Sequence, residues 1–401
     1  MLAGVRLPSD RALPMSALPL SPLEHASGVV IGAGPAVALG PPRGTPRQTL
    51  ERAIAPALGR EPCMVSFSGG GDSSAVLAVA VDTARKRGLA LPIPVSLRFP
   101  GLPAAEETHW QELVVRHLGL TDWVRIELGG ELDFLGQAAR AALEECGLLW
   151  PANAHFHLPV FERAAGGSVL TGLDGDGLLG GWRWQRGQAV IKRHVKPEPR
   201  DGVRAALALA PASVRMAALV LRQPLVVSWL RPRARRRLRR RLAQELANEP
   251  RDWPARVAWY ARRRYLQLGV HSLALLASRY DVDVRHPLLE PAFLSAVAAD
   301  AGPAGYGTRL GASRALFGDL LPAESVERCT KAEFGAALWG PQARAFADQW
   351  DGIGVDPELV DADRLRLAWQ QPNPPLFAAT VLQGAWLAAR ARRHSSEARS
   401  R

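Results

Sequence analysis

The chain has 401 residues, of which 47% are hydrophobic and 22% charged, with 37 glycines and 32 prolines. That length is enough for about two or three domains and a large core, and the composition excludes a small disulfide-stapled scaffold, a collagen and a wholly disordered chain. A net charge of +12 suits an acidic partner or nucleic acid, but only Lys86, Lys192, Lys196 and Lys331 are lysines, and an arginine excess beside abundant Ala, Gly and Pro also follows from coding bias.

Residues 1–45 are rich in Pro and Gly. Residues 12–23 hold three prolines and follow Asp10, which argues against a cleavable secretion signal. Gly28-Val-Val-Ile-Gly and Ala36-Val-Ala-Leu-Gly are candidate short strands. A helix is expected over 45–58 and a buried strand over 63–67. Helix and strand then alternate: helix 73–87, strand 94–98, helix 105–117, strand 123–128, helix 132–146, strand 168–171. The rhythm predicts βαβ units and an α/β fold, a parallel sheet with flanking helices whose ligand site lies at the carboxyl ends of the strands.

From about residue 200 the chain reads as helices and loops. Its most apolar stretch, 205–221, is broken by Pro211 and Arg215, so no membrane span is expected. Residues 231–241 hold eight arginines in eleven positions, either a solvated helix face or a docking surface for an acidic peptide or a phosphate backbone. Cys63, Cys146 and Cys329 form neither a disulfide framework nor a zinc set, which points to a reducing, cytoplasmic location.

Chemistry concentrates in Ser66 to Ser74, between the first strand and its helix. Gly69, Gly70 and Gly71 let backbone N–H groups turn to an anion, Ser68, Ser73 and Ser74 add hydroxyl donors, and the helix contributes its positive end. A phosphate or pyrophosphate fits such a cradle. Asp72 would repel phosphate unless a cation, most economically Mg2+, lay between them. The other reading is a plain glycine turn with Asp72 as the helix N-cap.

The segment lacks the lysine of the common kinase and GTPase loop and resembles the S-G-G-x-D-S motif of PP-loop ATP pyrophosphatases. Pro94-Val-Ser-Leu-Arg-Phe, Glu106-Glu107 and Val114-Val-Arg-His117-Leu-Gly resemble the second strand and following helix of asparagine synthetase B-type synthetase domains. The segment from Val169 to Trp182 resembles their L-x-G-x-G-G-D-E-L-F-G-G-Y stretch. Asp283-Val-Arg285-His-Pro287-Leu-Leu289-Glu290 resembles E-x-R-x-P-F-L-D, and Arg328-Cys-Thr-Lys331-Ala-Glu-Phe334 resembles R-x-x-K-x-x-F.

The resemblance implies a Rossmann-like, adenine nucleotide alpha hydrolase-like core over 61–200, a mostly helical part over 201–401, and in 1–60 a short β-rich remnant of a glutaminase domain. It implies an ATP-dependent, AMP-forming ligase that adenylates a carboxylate and joins it to an amine. Ser66, Ser68, Gly69, Gly70, Gly71, Asp72, Ser73, Ser74, Leu97, Gly172 and Lys331 would meet ATP or pyrophosphate, Asp72 and Asp176 would hold Mg2+, and Lys331, Asp283 and Arg285 would serve the chemistry. Lys331 also reads as a surface lysine, Leu97 as core, and Arg285 as a bridge between the helical half and the sheet.

Three departures mark this sequence. The family's G-G-D-E is Asp174-Gly175-Asp176-Gly177, so Asp174 is a candidate replacement for the missing acid. Asp283 is a methylene shorter than the usual Glu, which bears on proton transfer with a tyrosine such as Tyr260, Tyr265 or Tyr280. No nucleophile cysteine follows Met1, so the amine is expected from the substrate itself. Arg285 to Phe293, Cys329 to Phe334 and Leu382 to Leu387 look like lasso peptide cyclases, which implies a peptide substrate, a leader-binding protein and a leader peptidase. The alternatives are an amide ligase for a small-molecule carboxylate, a non-catalytic homologue, and, without paired cysteines for sulfur transfer and so least favoured, a tRNA-thiolating enzyme. Nucleic acid is therefore not an expected partner.

Overall fold

A computed structural model describes residues 19–180, 182–191, 193, 196–222, 227–328 and 330–399. Residues 1–18 of the expected remnant, and Cys329 and Gly181 of the quoted motifs, lie outside the described residues.

Five strands, β1 (Cys63–Ser66), β2 (Ile93–Arg98), β3 (Val124–Glu127), β4 (Ser168–Thr171) and β5 (Asp283–Arg285), form one sheet in the order β3-β2-β1-β4-β5. All four pairings are parallel, with Ser66 opposite both Val95 and Thr171. Side chains alternate across the sheet, so both faces need cover. Val65 and Leu170 share one core cluster with residues of the helices Pro46–Leu58 and Gly71–Arg87. Met64 and Val169 share another with residues of the helices Leu158–Arg163 and Arg264–Ser278. The order reverses between β1 and β4, and the crevice at their carboxyl ends is the switch point where such sheets bind ligands.

The expected βαβ alternation is present, and the helix opening this crevice has clear local causes. Gly70 is its N-cap, Asp72 lies in its first turn, Arg85, Lys86 and Arg87 occupy its last, and Gly88 closes it at φ 64°. Before it, Pro46–Leu58 starts from Thr45, whose hydroxyl accepts the Gln48 N–H at 3.2 Å.

Two expectations are corrected. The described part of the N-terminal stretch forms a helix, Pro22–Ser27, and coil, with no strand at 28–32 or 36–39. Gly28 ends that helix at φ 69° and passes so close to Phe377 that a Cβ would lie 1.9 Å from its carbonyl oxygen. Beyond it, the Ile31 N–H goes to the Glu24 carboxylate (2.9 Å), and Gly32 O and the Gly34 N–H pair with the Arg264 N–H and Arg262 O, a single antiparallel bridge between Ala33 and Arg263. The pairing stops at that single bridge, so no ladder forms. The second correction is β5, drawn from the part read as helices and loops. It is three residues long and has no alternating pattern to reveal it.

Candidate active site

At the end of β1 the chain turns through Gly69 (φ +81°), a left-handed conformation that side chains resist. Ser68 Oγ accepts the Gly70 N–H (3.3 Å) and lies 3.1 Å from Ser73 Oγ, which also donates to Gly70 O at 3.1 Å. The hydroxyl pair locks the loop around the helix start. Ser74 Oγ is buried with no hydrogen-bond partner among the described residues.

Asp72 does not cap its helix; Gly70 holds that position, without a side-chain bond. Its carboxylate turns instead to the β4 loop, where Oδ2 accepts the Asp176 N–H at 2.7 Å. Glycine permits this approach. A Cβ on Gly172 would lie 2.6 Å from Ser73 N, and one on Gly175 would lie 2.5 Å from Asp72 Cγ. Gly175→Ala is therefore expected to push Asp72 aside at an overpacking cost of about 1–3 kcal/mol, weakening nucleotide affinity about tenfold or more by titration calorimetry.

Two cations converge on the carboxylates. Arg309, which opens the helix Arg309–Phe317 after its N-cap Thr308, pairs with Asp72 Oδ1 through one nitrogen and with Asp176 Oδ1 through Nε at 2.8 Å. Lys331 Nζ reaches Asp176 Oδ2 at 3.0 Å. Burial pushes Asp72 up to about 6, with Arg309 opposing and Asp176 adding to the rise. For Asp176 burial also pulls upward, but hydrogen bonds from Arg309 and Lys331 outweigh it and hold the carboxyl below its ordinary value. The Lys331 side chain is 82% exposed, so its ion pair contributes little and the ammonium is free to turn to an arriving anion. Its loop is anchored by the Glu333 N–H to Ala104 O bond (2.9 Å) and by Phe334, whose ring packs 5.6 Å from Phe99 and 5.5 Å from Phe156.

Behind the glycine loop, Arg328 pairs with Glu107, both side chains nearly buried, donates to Gly69 O at 3.1 Å and lies 4.8 Å over the Trp110 ring. Gln111 Nε2 donates to Ser68 O at 3.3 Å. Glu107, the second acid of the Glu106-Glu107 pair, and the arginine before Lys331 thus fix the loop.

No hydrogen bond or ion pair among the described residues links the remaining expected residues to Asp72 or Asp176. Leu97 sits in β2 opposite Ile126, half-buried among core side chains. Ser66 closes β1. Asp283 is in register with Ser168 at the start of β4, and its carboxylate accepts from Arg285 Nε at 2.8 Å. The tyrosines go elsewhere. Asp174, held at φ 56°, has its carboxylate bound by the hydroxyls of Tyr260 and Tyr265 (the latter at 3.1 Å), and Tyr260 also donates to Asp174 O at 2.8 Å. A Cβ on Gly177 would lie 2.6 Å from Tyr260 Oη. The volume of the missing acid is thus occupied by this Asp–Tyr pair, which is why glycine is needed there.

Sequence reasoning missed Arg309, one arginine among 46, which its own spacing does not mark. It also missed His286, whose Nδ1 lies 2.6 Å from Thr171 Oγ1 at the end of β4. Burial, then the neighbouring His157, pushes His286 down to about 3, and burial, then His155, pushes His157 to about 4. Both are neutral in the fold, so the stability they contribute is complete above the unfolded value of about 6.5 and is lost as pH falls from there toward 4 and 3. Urea titrations are expected to show a loss of up to about 1.4 kcal/mol per pH unit for each below pH 6. His286→Gln should remove one proton's share of that slope.

A glycine loop thus lies at the switch point of a parallel sheet in an α/β fold, where turned amides and a helix start favour an anion, and it faces two carboxylates and two cations. The asparagine synthase family model matches residues 45–393, and the chain belongs to that family of ATP-dependent, amide-forming ligases. Comparison with curated proteins gave no match. Among the described residues no helix is long and apolar enough to cross a membrane.

Proposed function

We propose that the chain adenylates a carboxylate with ATP, releasing pyrophosphate, and that an amine of the same ribosomal peptide then displaces AMP to close a macrolactam. The observation that carries the adenylation is the pairing of Asp72 and Asp176 across the switch point, beside a glycine loop and two cations. The carboxylate oxygen attacks the α-phosphate, the α–β bond breaks, and the attacking amine later loses its proton as the amide forms.

Asp72 and Asp176 suit Mg2+: they are hard oxygen donors, and two carboxylates completed by substrate phosphates are a sufficient set. They already share one cation, the Arg309 guanidinium. They would hold the ion, which when bound supplies charge neutralisation for the leaving pyrophosphate. In this reading the amides of Gly69, Gly70 and Gly71 and the hydroxyls of Ser68, Ser73 and Ser74 orient the phosphates. Lys331, turning from Asp176, steadies charge as the α–β bond breaks.

The peptide assignment is supported by the resemblance of Arg285 to Phe293, Cys329 to Phe334 and Leu382 to Leu387 to lasso cyclases. An open mouth agrees with it, since the side chains of Lys331 and Asp176 are 82% and 54% exposed. A leader-binding protein and a leader peptidase would prepare the substrate. Mass spectrometry of a leader-free candidate peptide after incubation with ATP and Mg2+ tests this. The expected result is loss of one water with matching AMP. AMP formed only with a small carboxylate and an amine would replace the reading with a metabolite ligase; no AMP with any acceptor would indicate a non-catalytic binder.

A further inference from the structure

The arginine run forms the first part of a helix, Pro232–Ala247, whose two sides behave differently. Ala234, Leu238, Ala243 and Ala247 are buried. The helix's one acid, Glu245, pairs with Arg263 and accepts the Gly32 N–H at 2.6 Å, so it neutralises nothing on the arginine side. There, Arg233, Arg236, Arg237, Arg240 and Arg241 are exposed and, with Gln244, line a groove of about 300 Å³. Among the described residues none of the five has an ion pair or a side-chain hydrogen bond.

Five like charges packed this closely repel one another, a cost that only an anion relieves. Their spacing indicates which anion. Arg233, Arg237 and Arg241 form one row and Arg236 and Arg240 a second, each repeating every four residues, about 6 Å along the axis. An extended peptide repeats its same-side positions at about 6.6 Å and sends alternate side chains to opposite sides. Successive acidic residues lying between the rows would therefore meet the guanidinium forks in turn, each fork matching a carboxylate. The groove lining offers no aromatic ring for a base to stack on. The sequence itself holds no run of three acidic residues, so the anion comes from another molecule.

We propose that this face docks an extended acidic segment of a second polypeptide, its carboxylates alternating between the two arginine rows. The proposal is independent of the catalytic reading. It is tested by fluorescence anisotropy of the full chain with a labelled hexaglutamate peptide, its hexaglutamine counterpart, a short RNA duplex and phosphatidylserine-containing vesicles, between about 50 and about 300 mM salt. Hexaglutamate is expected to bind, weakening with salt, while hexaglutamine does not. Combining R233Q, R236Q, R237Q, R240Q and R241Q should weaken it at least tenfold, on the order expected when several exposed pairs are lost together. If that variant does not fold, R236Q with R240Q removes one row and should weaken binding several-fold. Hexaglutamate bound equally by a folded variant overturns the proposal, and so does tighter, arginine-dependent binding of the duplex or the vesicles.

Discussion

Asp72→Asn is expected to lower ATP-dependent AMP release by about a thousandfold, the scale seen when a group that stabilises developing charge is removed, without unfolding the protein. The two halves of that result have separate causes. Asparagine keeps an oxygen to accept the Asp176 N–H but loses the charge that, in the proposed mechanism, helps hold the metal. The stability sign runs the other way. Burial raises the Asp72 carboxyl from 3.8 to about 6, so the folded state binds the proton more tightly. The ionised group at pH 7.5 costs on the order of 3 kcal/mol relative to a chain with an ordinary carboxyl. Asparagine removes that cost and also the pair with Arg309. The melting temperature should therefore hold or rise, and a fall of many degrees together with lost activity would mean that Asp72 is structural.

The parts of this site that sequence reasoning reached are those made by neighbours in the chain. Ser68 to Ser74 reads as an anion loop because glycines, hydroxyls and a helix start fall within seven residues, and the alternation of strands and helices puts it at a sheet's carboxyl edge. Asp176 and Lys331 came through motif resemblance and do converge, 155 residues apart in sequence. Arg309 did not, because its partners Asp72 and Asp176 lie 237 and 133 residues away and its local setting is an ordinary helix start.

The tyrosine partner shows a different limit. The shorter acid at Asp283 bears on proton transfer with a tyrosine partner, but Tyr260 and Tyr265 bind Asp174, and Asp283 binds Arg285. The extra acid at Asp174 and the missing one at Gly177 are one packing event, since Tyr260 fills the space a side chain on Gly177 would need. Volume exchange of this kind leaves no periodicity and no spacing signal. β5 was hidden for a related reason: its pairing with β4 is decided by the register of Asp283 with Ser168, a long-range contact that three residues do not advertise.

Arg328→Met is expected to be the most destabilising single change near the site. The Arg328–Glu107 pair is 6% and 7% exposed, and losing one partner strands a buried carboxylate at a cost of about 3–5 kcal/mol. The thermal midpoint should fall by about 5 °C. Adding Glu107→Gln removes the stranded charge, so the double variant should recover much of that stability, a non-additivity that a double-mutant cycle measures directly. ATP affinity should not recover with it. Arg328 also donates to Gly69 O at 3.1 Å, at the residue whose left-handed turn aims the loop, and methionine cannot replace that bond in either background. If stability and nucleotide affinity instead returned together, the pair would act only as a packing element. Their separation would show that the buried arginine sets the shape of the phosphate loop.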